Sequence, residues 1–224
     1  MEKGSQVFAD RTAAGRELGR VIGKRNLPRP LLVLGLPRGG VPVAFEVARA
    51  LRAPLDIMVV RKIGMPGEPE LAIGAVASGG VTFRSTGTGR YEGIDLAFEQ
   101  LAERERLELA RREQAYRLGA PPLQARGKTV ILVDDGLATG ATMIAAVRAA
   151  RKAGAAAVVV AAPVASGQAA AAAAAEADEV VFLQTPESLF AIGQWYWNFE
   201  QLDEEEICAL LERARRGEFI TDVA

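Results

Sequence analysis

The sequence predicts an α/β fold, an open, mostly parallel twisted sheet flanked by helices. Three observations carry this. Short apolar runs begin near residues 31, 55, 129, 156 and 179. Most are too continuous for strands with one wet face and read as strands covered on both sides. Helical periodicity separates them, and such alternation implies a parallel sheet.

Residues 5–25 are expected to form a helix, with Val7, Phe8, Ala14, Leu18, Val21 and Ile22 roughly on one side, closed by Pro28 and Pro30. LLVLGL (31–36) is a buried strand and PRGG a loop. VPVAFEVARALR (41–52) is a helix with Pro42 in its first turn, where a missing N–H is harmless. LDIMVV (55–60) is a second strand, parallel to the first. KIGMPGEPE (62–70) reads as a Gly/Pro-rich loop, LAIGAVA and VTFR as a hairpin turning at Gly79-Gly80, and GTGRYEG (87–93) as another loop. A charged helix follows over 94–117, with Glu108 and Arg112 spaced to pair. TVILVD (129–134), AAVVVAAPV (156–164) and EVVFL (179–183) are strands, and 141–154 and the Ala-rich 166–177 are helices. The remainder is an aromatic segment, ESLFAIGQWYWNFEQ (187–201), and a capped amphipathic helix over 203–216. The organisation expected is a single domain with a core of about 30–185, a hairpin and helix insertion of about 64–127, and a small C-terminal aromatic hood of about 186–224.

The 224 residues are 50% hydrophobic and 25% charged, with a net charge of −1. This suits a soluble globular chain and argues against a sequence-blind nucleic-acid binder, which would be basic. No run of about 18 uncharged apolar residues is present, so no membrane span is expected. The N-terminal stretch lacks an apolar secretory core. With the single cysteine, Cys208, this gives a cytoplasmic expectation. There is no histidine, which excludes Ser-His-Asp or Cys-His catalysis and His-based zinc sites.

The chemistry concentrates in VILVDDGLATGAT, Val130–Thr142. Ligands of such sheets bind beyond the carboxyl ends of the strands, where Asp134 and Asp135 are delivered. Gly136, Leu137, Ala138, Thr139 and Gly140 form a tight loop, and a helix begins near Ala141 and Thr142. Loop amides, hydroxyls and a helix N-terminus suit a phosphate monoester. The acidic pair instead suits neighbouring hydroxyls, or a cation that a phosphate brings. Together they ask for a phosphate with a cis-diol a few ångströms away, the shape of a ribose 5-phosphate. No GxxxxGK[ST] occurs, so this is not a P-loop.

VILVDDGLATGAT resembles the phosphoribosyl-pyrophosphate signature of the type I phosphoribosyltransferases. The resemblance covers about residues 30–185, and VRKIG, PELAIGAV and AIGQWY extend it to an uncharacterised bacterial branch of predicted members. It implies that Asp134 and Asp135 hold the ribose hydroxyls, directly or through Mg²⁺, and that the backbone from Gly136 to Ala141, with Thr139 and Thr142, cradles the 5-phosphate. LPRGG (36–40) resembles the family's pyrophosphate loop, with Arg38 and the amides of Gly39 and Gly40 facing pyrophosphate. Arg61 and Lys62 match a basic position that reaches the same group, and Glu70, in the segment matching the flexible catalytic loop, is a candidate acid or base. The implied activity is Mg²⁺-dependent transfer of phosphoribose from phosphoribosyl pyrophosphate to a base, a glycosyltransferase reaction, with Arg38, Lys62 and Glu70 as catalytic candidates.

One position departs from the pattern. Hypoxanthine-type members carry an Asp where this chain has Ala138, which weakens a 6-oxopurine reading. It leaves open a non-catalytic ribose 5-phosphate or phosphoribosyl pyrophosphate-binding regulator, and a generic nucleotide-binding domain. Phe190, Trp195, Tyr196, Trp197 and Phe199 are five of the 13 aromatics (8 Phe, 3 Tyr, 2 Trp). Trp195 is the candidate for stacking on the acceptor. The cluster also suits a hydrophobic plug or a homodimer contact.

Overall fold

A computed structural model describes residues 7–65, 67–84, 94–117, 119, 121 and 124–218, without the side chains of 69–72 and 94–96. The chain runs α1 (Arg11–Ile22), β1 (Leu31–Gly35), α2 (Gly40–Leu51), β2 (Leu55–Ile57), β3 (Val60–Met65), β4 (Glu68–Ala77), β5 (Val81–Arg84), α3 (Ile94–Arg117), β6 (Thr129–Val133), α4 (Ala141–Lys152), β7 (Ala157–Val164), α5 (Gly167–Glu176), β8 (Glu179–Gln184) and α6 (Glu204–Arg215). A short 3-10 turn, Ile192–Trp195, lies between β8 and α6.

The five expected strands form one sheet in the order β2-β1-β6-β7-β8, with every pairing parallel. Its continuous apolar runs are explained by two covered faces. Val33, Ile131, Val133, Val159 and Ala161 pack on the side of α1 and α2, among Leu18, Ile22, Val43 and Val47. Their neighbours Leu32, Leu34, Val130, Leu132, Val158 and Val160 pack on the side of α4 and α5, among Met143, Val147 and Ala169. Because β1 and β6 are adjacent, Gly35 aligns with Val133. The PRGG and DDGLATG segments therefore leave the sheet side by side.

Three elements differ from expectation. Helix α1 starts at Arg11, not near residue 5. The Asp10 carboxylate caps it, accepting from Ala13 N–H at 2.7 Å. Upstream, Phe8 instead forms a parallel bridge with Tyr196. The apolar run 55–60 is split between two sheets. Met58 N–H donates to Gly35 C=O at 3.0 Å, while Val59 and Ser78 exchange backbone and hydroxyl hydrogen bonds that start a second sheet. The Gly/Pro-rich stretch 62–70 is largely strand, since β3 and β4 pair antiparallel from Val60↔Ala77 to Met65↔Glu68. Its breaker composition marked only the reversal, where Gly67 has φ 85°. With β5 this makes a three-stranded antiparallel sheet, β3-β4-β5. The expected loop at 87–93 lies outside the described residues.

The capped helix expected near residue 203 is α6. Asp203 accepts from Glu206 N–H, and the Glu206 side chain accepts from Asp203 N–H. No described helix is long and apolar enough to cross a membrane.

Helices α1 and α2 cross at two glycines. A methyl group on Gly15 would lie 2.8 Å from Val43 O and 2.9 Å from Glu46 Cβ, and one on Gly19 would lie 2.8 Å from Ala50 Cβ. Gly19→Val is therefore expected to cost about 1–3 kcal/mol through overpacking. Urea denaturation would check this, and an unchanged midpoint would show that the helices separate freely.

Candidate ribose-phosphate site

The site is built at the carboxyl edge from the ends of β1 and β6. All five residues of β6 are buried, and its line continues into Asp134, whose N–H reaches Ala161 C=O at 3.3 Å. The loop after the acidic pair is anchored to β7. Leu137 N–H donates to Val164 C=O, Ser166 N–H to Leu137 C=O, and the Ser166 hydroxyl to Ala138 C=O at 2.7 Å. Gly140, with φ 75°, turns the chain into α4 as its N-cap, beside Ala169. The first bond of that helix runs from Ile144 N–H to Gly140 C=O, and earlier amides at a helix start have no intrahelical acceptor. Asp134, Gly136, Leu137, Ala138, Thr139, Gly140, Ala141, Thr142, Met143 and the Ile192 side chain enclose a cavity of about 170 Å³. Asp134 is in this lining and Asp135 is not.

Residues of LPRGG sit directly against the acidic pair. Leu36 N–H donates to Val133 C=O at 2.9 Å. A methyl group on Gly39 would lie 1.9 Å from Asp135 Oδ2, and one on Gly40 would lie 2.6 Å from Val133 O and 2.9 Å from Asp134 Cα. Sequence reasoning assigned the glycine pair to close approach of a ligand; the first group these bare α-carbons admit is the acidic pair itself. Arg38 is exposed at the loop's tip, and its peptide bond to Pro37 is cis. Helix α2 starts at Gly40, so a second helix N-terminus opens here.

Asp135 is tied down on every side. Arg11 Nε donates to its Oδ2 at 2.8 Å, with both side chains nearly buried. The Tyr196 hydroxyl donates to its backbone C=O at 2.6 Å. Arg11 also donates to Glu200 C=O at 2.9 Å, and its guanidinium lies 3.8 Å from the centre of the Phe199 ring. Phe199 stacks on Tyr196 at 5.1 Å. Sequence reasoning missed Arg11. A signal was present, since an Asp N-cap directly before an Arg places a cation at the positive end of a helix, which is unfavourable without an external anion.

The remaining predicted residues separate. Arg61 and Lys62 are neighbours on β3 and so face opposite ways. Arg61 Nε is held by Glu105 of α3 at 2.8 Å. Lys62 is exposed and lines a groove with Ala141, Ile144 and Ala145 of α4, the helix that closes the cavity. Glu70 lies on the β4 backbone, and its side chain is outside the described residues. Trp195 is half-buried against Phe8, Ala14 and Tyr196, whereas Phe190 and Trp197 are 86% and 81% exposed.

Residues 8–202 match the phosphoribosyl transferase domain family. The chain belongs to that family. A Mycobacterium tuberculosis protein provisionally named a phosphoribosyl transferase is 46% identical over 212 residues, 94% of this chain and 48% of its own length. The chain thus spans about half the length of the curated relatives it matches. The crystal structure of TT1426 from Thermus thermophilus superposes with a TM-score of 0.83 at 42% identity, covering 92% of this chain and 98% of that one. A Neisseria gonorrhoeae protein solved with bound ppGpp shares the fold at a TM-score of 0.52 and 16% identity, covering 96% of this chain and all of its own.

Electrostatics follow from the packing. Burial pushes the Asp134 carboxyl well above the usual carboxylate range, and the Asp135 charge pushes it further. Burial also raises Asp135, although Arg11 pulls it back, and burial raises the Tyr196 phenol. A carboxyl raised in the folded state binds its proton more tightly there than in the unfolded chain. It therefore contributes stability at low pH that is lost as pH rises through the folded value. Asp134→Asn keeps the acceptor for Asp135 N–H and replaces a carboxyl whose ionised form burial disfavours with a neutral amide. The variant is expected to melt higher than wild type by a few degrees at about pH 7. The gap should close below about pH 4, where the unfolded carboxyl is also protonated. Calorimetric scans at both pH values test this, and a variant that melts lower at neutral pH would contradict it.

Proposed function

We propose that this protein is a Mg²⁺-dependent phosphoribosyltransferase that displaces pyrophosphate from phosphoribosyl pyrophosphate with a nitrogenous base or related acceptor. The observation that carries this reading is the Asp134-lined cavity at the start of α4, placed against Gly39 and Gly40 of the LPRGG loop. One end suits a 5-phosphate, the acidic end suits the ribose hydroxyls, and the adjoining loop suits a second, pyrophosphate-bearing end.

The donor set fits magnesium. Among the described residues no group of three or more acidic, Cys or His side chains gathers, so no closed all-protein cage is formed. Magnesium keeps several waters and takes one or two carboxylates plus substrate phosphates, which Asp134 and Asp135 with pyrophosphate would supply. When bound, the ion would neutralise charge developing on pyrophosphate.

In the reaction the C1–O bond of the ribose breaks and pyrophosphate leaves with the electron pair. A C1–N bond forms, and the nitrogen loses a proton. The chain's task is electrostatic and geometric. The amides and hydroxyls from Gly136 to Thr142 seat the 5-phosphate, and the acidic pair of Asp134 and Asp135 serves the diol, with Asp134 the member that borders the cavity. Arg38, the amides of Gly39 and Gly40, and Lys62 meet the leaving group. Glu70 is the candidate for the proton. Lys62 is favoured over Arg61, because Arg61 is already held by Glu105. Trp195 is the notional stacking partner for the acceptor, with Phe190 and Trp197 the more open aromatics of the same segment. A reducing cytoplasm suits the single thiol, Cys208.

Ala138 favours a second reading, because no carboxylate stands there to accept a base proton. In that reading the protein binds phosphoribosyl pyrophosphate without turnover. Pyrophosphate release against a panel of bases separates the two. The Asp134→Asn, Asp135→Asn double variant should lower release by a factor on the order of 10² or more, and release equal to wild type would sink the site assignment. Lys62→Ala should cost roughly tenfold or more in kcat/KM while Arg61→Ala costs little, as removal of a charge-assisted contact to the leaving group requires. The reverse order would exchange their roles.

A further inference from the structure

We infer that Arg11 is a positioning residue for the acidic pair, holding Asp135 in one orientation so that, of the two, Asp134 is the one that borders the ligand cavity. The inference rests on the proposed ribose-phosphate reading and adds a division of labour between two residues that the sequence treats alike.

Four observations carry it. Asp134 lines the cavity and Asp135 does not. Asp135 Oδ2 is taken by Arg11 Nε at 2.8 Å and occupies the space that a side chain on Gly39 would fill. The guanidinium is itself held, by Glu200 C=O at 2.9 Å and by the face of Phe199. A freely sampling arginine would gain none of this, and an arginine fixed at two nitrogens and one face has a single geometry to impose. Finally, the helix that carries Arg11 is fastened to the hood. Phe8 N–H donates to Trp195 C=O, Trp197 N–H to Phe8 C=O and Asn198 N–H to Ala9 C=O, all within 2.8–2.9 Å. The N-terminal segment and the hood thus form one frame whose product at the site is the Arg11–Asp135 pair.

The arrangement also places one fixed cation beside two carboxylates. Asp134 Oδ1 accepts from the Asp135 backbone N–H at 2.9 Å, so each carboxylate has one oxygen engaged, and the two differ in that Asp134 borders the cavity while Asp135 is held by Arg11.

Calorimetric titration of the full chain, without added metal, tests this with two probes, ribose 5-phosphate and inorganic phosphate. Wild type should bind both; no heat with ribose 5-phosphate to wild type would count against the ribose-phosphate reading itself, apart from Arg11. In Arg11→Met the affinity for ribose 5-phosphate should fall about 10–100-fold, the usual cost of removing a residue that orients a ligand-holding group. The affinity for inorganic phosphate should stay at the wild-type value, because the loop from Gly136 to Thr142 does not depend on Arg11. Arg11→Lys should recover part of the loss, since it restores the charge on Asp135 without the second bond to Glu200. It also serves as the test if the Met variant does not fold. Unchanged ribose 5-phosphate affinity in both variants would overturn the inference, and so would equal losses with both probes.

Discussion

Two adjacent carboxylates at the end of a fully buried strand are the constraint around which the site is arranged. The sheet removes the water that would ordinarily solvate them. What packs around them instead comes from three separate parts of the chain. The bare α-carbons of Gly39 and Gly40 let β1's loop close on the pair, Arg11 brings a cation from the first helix, and the Tyr196 hydroxyl arrives from the aromatic segment. A crowded like-charge pair in a cleft, with this much structure committed to it, makes the place a candidate functional site.

The same economy explains how neighbouring residues of similar chemistry acquire different surroundings. On β3 the two-residue period turns Arg61 toward Glu105 and Lys62 toward α4. At the end of β6 the chain has left the ladder, and the difference comes instead from contacts: the cavity for Asp134, Arg11 and Gly39 for Asp135. In each pair one member is held by a charged partner, and the other borders a groove or cavity.

Much of this was legible in the sequence where a signal was local. Continuous apolar runs marked the five strands of the main sheet, because burial on both faces leaves no room for alternation. The run of small residues after Asp135 marked a tight loop into a helix, which the left-handed Gly140 at the start of α4 bears out. The hairpin of β3 and β4 was not legible. Glycine and proline announce a reversal, and composition cannot tell a two-residue reversal between paired strands from a loop nine residues long. The partner that decides this, Ala77 opposite Val60, lies beyond any local window. Arg11 carried only a local hint, a cation at a helix start, because the anion that gives it its value is Asp135, 124 positions away. Trp195 was read from the aromatic cluster as a stacking candidate, and that it leans into Phe8 and Tyr196 is a contact that only the pairing of the N-terminal segment with the hood creates.

That pairing has a consequence for the order in which the molecule acquires its parts. The Arg11–Glu200 contact spans 189 positions, and Tyr196 follows Asp135 by 61. Synthesised at about 5–20 residues per second, the acidic pair would precede the tyrosine that steadies it by roughly 3–12 seconds. During that interval β1, β6 and the α1–α2 pair can pack from what has already emerged, while Arg11 and Asp135 still lack Glu200 and Tyr196. The contacts that the aromatic segment makes with Arg11 and Asp135 are thus among the last to form in a chain made from its N-terminus.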